Sequence, residues 1–244
     1  MILSGILKVG FKRIVIAFCG ALAPFFVLAQ PEPGVYHAEE ILDSGTRNYR
    51  LMISDNYVIH SVFESSPAHF LETKGGYFQV EGDSLFLDLE FNSNLEADQI
   101  REQRFHFSYT GGNLILNGNE GRLYRRMAKV EQALDGAWLF ATRGPDEGQD
   151  RRGDENPRKT LKFLIDGYFQ WTAYNVEDMR FMGCGGGRYA ADQGAYIEMI
   201  EYFSRDDSRV GAELSFTFDR QGNDWHHTGN NSRGEPMYEI WAIR

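Results

Sequence analysis

The chain holds only two cysteines in 244 residues, Cys19 and Cys184. Cys19 falls in an N-terminal apolar run, so the folded part keeps Cys184 alone and an internal disulfide is excluded. Stability must come from packing. Helical periodicity is nearly absent beyond that run, which excludes a helix-rich architecture. Positive charge is scarce: 25 Lys and Arg stand against 35 Asp and Glu, a formal charge of −10. Neutralising phosphates requires a basic face, so no nucleic-acid partner is expected. Metal-ligand spacing is missing as well. His226 and His227 are neighbours on an expected strand and so point to opposite faces, and His37, His60, His69 and His106 lie far away in sequence. Zinc takes three or four ligands; no metal and no cofactor are expected.

One long apolar run is present, from Ile14 to Ala29, behind Lys8, Lys12 and Arg13. A basic start, an apolar centre and Val27-Leu28-Ala29 before Gln30 are the marks of a secretory signal. A spanning helix would need about 20 apolar residues. Residues 1–29 are therefore expected to be a cleaved signal peptide, with no integral membrane segment left after cleavage. Phe18 precedes Cys19 where a lipobox needs a small residue. The mature protein is expected to be periplasmic or secreted.

What remains says the same thing twice, over residues 34–127 and again over 135–244. Gly34-Val35-Tyr36 matches Gly136-Ala137-Trp138, and Asp55 between two strands matches Asp166. Gly75-Gly76-Tyr77 parallels Gly186-Gly187-Arg188-Tyr189, and Leu85 to Phe91 parallels Ile197 to Phe203 with one residue inserted. Such a repeat fixes an architecture of two similar units. Residues 128–134 between them lack Gly and Pro and read as a short helical connector.

Short alternating or aromatic-rich runs recur between Gly, Asn and Asp clusters, which is the pattern of antiparallel sheet. Asp166-Gly167 predicts a two-residue hairpin turn. That turn pairs Ile165 with Tyr168, Phe163 with Gln170 and Leu161 with Thr172, and sets Trp171 on the opposite face beside Leu164. In Ser84 to Phe91 the alternation puts Leu85, Leu87, Leu89 and Phe91 inside. Carried to the second copy it puts Ile197, Met199, Glu201 and Phe203 inside. This strand is apolar or aromatic on both faces, so the opposite parity, with Glu198 inward, stays open; alternation favours Glu201.

The Gly-x-Trp opening at Gly136-Ala137-Trp138, the run of hairpins and the terminal Arg244 resemble the lipocalin-like (calycin-type) barrels. The tandem arrangement is similar to lipocalin-like secreted proteins of Bacteroidetes-type bacteria. The resemblance implies an all-β chain of two tandem antiparallel lipocalin-like β-barrels. It also implies that an arginine packs across the barrel-end aromatic: Arg244 on Trp138 in the second copy, Arg125 or Arg126 on Tyr36 in the first.

Departures between the copies point to the second. The segment Arg143 to Arg158 is much longer than its counterpart Leu42 to Asn48, and such a segment is either a solvated loop or a lid. Trp171, Tyr174, Tyr189, Tyr196 and Trp225 supply rings, and Arg209 and His226 polar groups, for a small-molecule pocket. The first expectation is an exported protein holding a carbohydrate or an aromatic or hydroxylated metabolite in its C-terminal barrel. The second is an enzyme in which Glu201 or Glu198, with His227 and a tyrosine, acts as general acid and base on a sugar-like substrate. The third is a non-catalytic partner in a surface complex, or a self-associating protein.

Overall fold

The computed structural model describes residues 30–117, 121–231 and 233–244; the expected signal peptide lies outside them. The first repeat forms β1 (Gly34–Leu42), β2 (Gly45–Ile53), β3 (Tyr57–Ser65), β4 (Ala68–Glu81), β5 (Ser84–Asn92), the single helical turn α1 (Leu95–Asp98), β6 (Glu102–Thr110), β7 (Asn113–Asn117) and β8 (Arg122–Arg126). The second forms β9 (Gly136–Arg143), β10 (Arg158–Ile165), β11 (Tyr168–Asn175), β12 (Arg180–Asp192), β13 (Ala195–Phe203), β14 (Glu213–Gln221), β15 (Asp224–Asn230) and β16 (Pro236–Ile243). Strands pair with their chain neighbours, and each set of eight closes on itself, β8 on β1 and β16 on β9. The chain is two tandem eight-stranded antiparallel barrels, consistent with a tandem lipocalin-like fold.

Local chemistry explains the register. Asp166 and Gly167 have φ of 52° and 78°, the left-handed pair that a tight hairpin turn requires. The pairs Ile165↔Tyr168, Phe163↔Gln170 and Leu161↔Thr172 follow as the sequence implied. The repeated glycines mark bulges in β4 and β12, between Gly75 and Gly76 and between Gly186 and Gly187. A Cβ on Gly76 would lie 2.0 Å from the Asp88 carbonyl oxygen, and one on Gly187 1.9 Å from that of Met199. No other residue fits there.

Two expectations are corrected. The connector is irregular rather than helical, because so short a segment cannot repay helix nucleation. Its polar groups bond to the second barrel instead: Val130 N–H to Asp166 at 3.2 Å, and the Gln132 amide to the Tyr189 carbonyl at 3.0 Å. The barrel-end arginine holds for the first copy, with the Arg126 guanidinium 5.8 Å from the Tyr36 ring. In the second it is Arg220 that covers Trp138, at 5.1 Å, and Arg244 leaves the barrel end altogether. It donates to both oxygens of Glu90 in the first barrel, at 2.7 and 2.6 Å.

That pair belongs to a dry joint between the barrels. Val35, Met52, Tyr57, Ile59 and Phe91 from the first wall pack on Leu139, Leu161, Phe163, Tyr168 and Tyr174 from the second. Beside them Ser61 donates to Gln170 at 2.5 Å, Tyr202 to the same oxygen at 2.7 Å, and the Gln170 amide to Thr73 at 3.0 Å. These groups are fully or almost fully buried, and a buried polar group is stable only when partnered in this way. Phe91→Ala is expected to cost about 3–5 kcal/mol. All four tryptophans lie in the second barrel, so urea unfolding followed both by Trp fluorescence and by far-UV circular dichroism should show that loss in one coincident transition; a separate dichroism transition in the wild type would mean that the joint does not couple the barrels.

Candidate functional site

The second barrel brings several expected residues together. β13 carries Tyr196 and Glu198 inward, and β15 carries Trp225 and His227; all four side chains are buried. The Tyr196 hydroxyl donates to Glu198 at 2.7 Å. A residue the sequence reading missed completes the group: Lys162 of β10 reaches Glu198 with its Nζ at 2.7 Å. The ammonium lies 5.0 Å from the Tyr196 ring centre, 5.1 Å from Trp225 and 5.3 Å from Trp241. Ring faces attract a desolvated cation, so the charge is held both by a carboxylate and by an aromatic box. Lys162 shares the strand face of Leu164 and pairs with Trp171, which was the signal available for it.

His227 is 1% exposed, and neither ring nitrogen has a hydrogen-bond partner. Burial, reinforced by Lys162, pushes its pKa down to about 4. The imidazole is neutral at pH 7. Glu198 is neutralised by an adjacent lysine, which is not the isolated apolar setting that a carboxylic acid needs to serve as proton donor. Lys162, Glu198 and Tyr196 satisfy one another, whereas Trp225 Nε1 and both His227 nitrogens are buried without a hydrogen-bond partner.

The preference for Glu201 as the inward acid is overturned. Glu201 faces the joint between barrels, where Arg50 holds it at 2.5 Å and Arg188 lies at 3.4 Å. Counted from the first residues of β5 and β13, Ser84 and Ala195, the inward Leu85, Leu87 and Leu89 match Tyr196, Glu198 and Ile200, not Ile197, Met199 and Glu201. No residue is inserted here: the bulge glycines and the strand starts keep the same spacing in both copies, and the insertion read from the sequence shifted the comparison by one. Of the first copy's expected inward set, Leu85, Leu87 and Leu89 line the first core, and Phe91 joins the inter-barrel joint.

The remaining expected residues scatter. Tyr174 donates to Glu90 across the joint at 2.8 Å, and is no part of a pocket in the second barrel. Tyr189 sits in the second core, bonded to Asp135. Trp171 is half-buried, edge-on to Phe203 at 5.4 Å. His226 pairs with the Tyr238 hydroxyl at 2.9 Å. Arg209 lies in a short 3-10 turn and is 3.6 Å from Asp206. The long Arg143–Arg158 segment is pinned to the barrel wall: Arg152 N–H donates to Ala141 at 2.8 Å, and Arg151 grips Asp224 at 2.6 and 2.9 Å.

Open space lies in the other barrel. A cavity of about 330 Å³ occupies the interior of the first, lined by Leu51, Ile53, Val58, Phe78, Leu85 and Leu87 among other apolar side chains. Tyr49, His60, Lys74, Gln103, Arg122 and Tyr124 are its polar lining. No Asp or Glu is among the described lining residues, so every formal charge on the wall is positive. His60 shares a hydrogen bond with the Tyr124 hydroxyl at 3.2 Å. Burial, then Lys74 and Arg122, lowers its pKa to about 4. Sequence reading could not find this site, because an apolar wall around a void and a filled apolar core use the same residues.

The second-barrel cluster carries two measurable consequences. Removing one partner of a buried ion pair strands the other, so Lys162→Met and Glu198→Leu are each expected to cost about 3–5 kcal/mol, and the double substitution less than either. Equilibrium urea unfolding checks this; additive losses would mean that the pair is not coupled. His227 has a folded pKa below its unfolded value of 6.5. Only the unfolded chain takes up its proton between pH 6.5 and about 4, so stability falls as pH drops through that window, by on the order of 3 kcal/mol. His227→Phe should flatten the pH–stability curve there.

Compared with known family models, curated proteins and solved structures, the chain matches none, so the reading of the site rests on its own geometry.

Proposed function

We propose that this is an exported small-molecule-binding protein, periplasmic or secreted, whose ligand occupies the first barrel. The observation that carries the reading is the cavity of about 330 Å³ with an apolar wall and only basic formal charges on its rim. Its size falls at the lower end of ordinary ligand pockets, and a few polar groups on a mainly apolar surface suit a ligand with an apolar body and one polar head. Lys74 and Arg122, which Asp98 and Glu40 already hold at 2.8 and 3.6 Å from outside the cavity, are the cations an acidic head would share, and neutral His60 with Tyr124 offers hydrogen bonding beside them. The resemblance to lipocalin-like barrels supports the same class of function. It is an analogy of fold, and the site itself carries the chemistry.

The ligand class inferred from the sequence, a carbohydrate or aromatic metabolite held in the second barrel, is a second reading. It is supported by the convergence of Tyr196, Glu198, Trp225 and His227 on one interior. Against it, Trp138, Tyr196, Trp225 and Trp241 are all buried in that same interior, which leaves the rings occupied with one another.

Titration with the anionic fluorophore anilinonaphthalene sulfonate, and with a neutral dye of similar size, tests the proposal. The wild type should bind both, the anion at least tenfold more tightly. Lys74→Met should remove most of that preference, tenfold corresponding to about 1.4 kcal/mol. Leu87→Trp, which fills the cavity, should abolish both signals while thermal unfolding shows the variant folded. Undiminished binding by Leu87→Trp would place the ligand elsewhere.

A further inference from the structure

Among the described residues, both ends of the first barrel carry covering segments. At one, residues before β1 fold across the opening: Pro31 lines the cavity, Glu32 N–H donates to the Tyr109 hydroxyl at 2.8 Å, and the Tyr36 hydroxyl donates to the Glu32 carbonyl at 2.9 Å. Arg126 ties the same segment through the Pro33 carbonyl at 2.9 Å. At the other end Leu95 and Ile100, on the connection that contains α1, pack on the core. Asp98 secures that cap, accepting from Lys74 at 2.8 Å, from the Asn92 amide at 2.8 Å and from Ile100 N–H at 2.9 Å. Both covers are anchored by bonded or packed groups.

The barrel wall has one weak line. β1 pairs with β2 along all of Gly34–Leu42, but with β8 only at Tyr36↔Arg126 and His37↔Arg125. The corresponding closure of the second barrel, β16 on β9, runs from Glu239↔Arg143 to Ile243↔Trp138. Beyond His37 the facing stretches Ala38–Leu42 and Arg122–Tyr124 have no ladder pairing. Side chains bridge them instead. The Arg122 guanidinium is 3.6 Å from Glu40 and 3.6 Å from the centre of the Tyr49 ring, and the Tyr49 hydroxyl donates to Glu40 at 2.5 Å. Tyr49, Arg122 and Tyr124 line the cavity, so this bridge separates its interior from solvent. Outside it, Ile41 is 87% exposed and Leu123 45%, an apolar lip where polar side chains are the rule.

We propose that the β1–β8 seam is the portal of the first-barrel cavity, and that Glu40, Tyr49 and Arg122 are its latch. Opening here breaks a few side-chain contacts, one of them a partly exposed ion pair of the kind that contributes little. Opening at either end would break several bonded anchors or strip a packed cap from the core. An apolar ligand meets Ile41 and Leu123 first, and Arg122 swings aside without any loss of strand pairing. The portal rests on the cavity being the ligand site.

Stopped-flow measurement of anilinonaphthalene sulfonate binding and release tests both layers. Glu40→Gln weakens the latch and should raise the association and dissociation rates together, several-fold; Leu95→Ala loosens the α1 cap without touching Lys74 and should leave them unchanged. Extending the register from His37↔Arg125 brings Glu39 opposite Leu123, so the pair Glu39→Cys and Leu123→Cys can lock the seam. Cys184 is fully buried and does not compete. Oxidation should slow both rates at least tenfold, and reduction of the same sample should restore them. Equal rates in the oxidised and reduced protein, or acceleration by Leu95→Ala with none by Glu40→Gln, would overturn the portal while leaving the cavity as the site. A wild type that does not bind the dye would remove the cavity reading and the portal with it.

Discussion

The structure depends on two carboxylates at the joint between barrels, each held by an arginine from the opposite barrel. Glu90, in the first, is gripped by Arg244, and Glu201, in the second, by Arg50. Glu90 is the more buried of the two, and removing Arg244 would leave its charge only the Tyr57 and Tyr174 hydroxyls, a costly defect in a fold; Glu201 is half-buried and keeps Arg188 at 3.4 Å as a second cation. The two carboxylates occupy matching positions, each the seventh residue of its strand, β5 or β13, although their arginines do not: Arg50 lies in β2 and Arg244 follows β16. The next residues repeat the relation: Phe91 packs tilted on Tyr174 at 5.0 Å and Tyr202 stacks on Phe63 at 4.5 Å. Tyr174 and Phe63 are in turn the seventh residues of β11 and β3. The repeat copies therefore meet almost as two identical subunits would, through the same patch used twice.

That joint also decides what could be read from the sequence. The strands, the Asp166-Gly167 turn, the bulge glycines and the doubling were legible because they depend on local steric rules or period-2 patterning. Inside versus outside was legible only where one face of a strand meets water, as in β5 at Asp88 and Leu87. β13 is buried or half-buried on both faces over much of its length. Alternation then carries no sign, and comparison with the first copy, displaced by one residue, supplied the wrong one. Tyr174 and Glu201 looked like site residues for the same reason: polar and aromatic groups among apolar neighbours mark a joint between two barrels as well as a ligand site.

The aromatic richness of the second copy was the main argument for placing a ligand there, and its physical meaning runs the other way. An eight-stranded barrel has an interior of nearly fixed size, just wide enough for side chains to fill. Where the first barrel projects Leu85, Leu87 and Leu89 from β5, the second projects Tyr196, Glu198 and Ile200 from β13. Trp138, Trp225 and Trp241 occupy the same core, and Lys162 completes it. More ring volume in an unchanged frame means less void. The smaller aliphatic residues of the first copy leave the cavity.

The second barrel then acts on the first as a buttress. Strands β2, β3 and β5 turn Leu51, Ile53, Val58, Leu85 and Leu87 toward the cavity and Met52, Tyr57, Ile59 and Phe91 toward the joint. A wall packed on both faces has little freedom to move, because every shift must repack two dry surfaces. β1 shares this anchorage through Val35. Strands β6, β7 and β8 contribute nothing to the joint clusters and have solvent on their outer side. The boundary between the held and the free wall therefore falls between β1 and β8, the one junction in this barrel where ladder pairing is almost missing. Flexibility follows from where the neighbouring barrel is not.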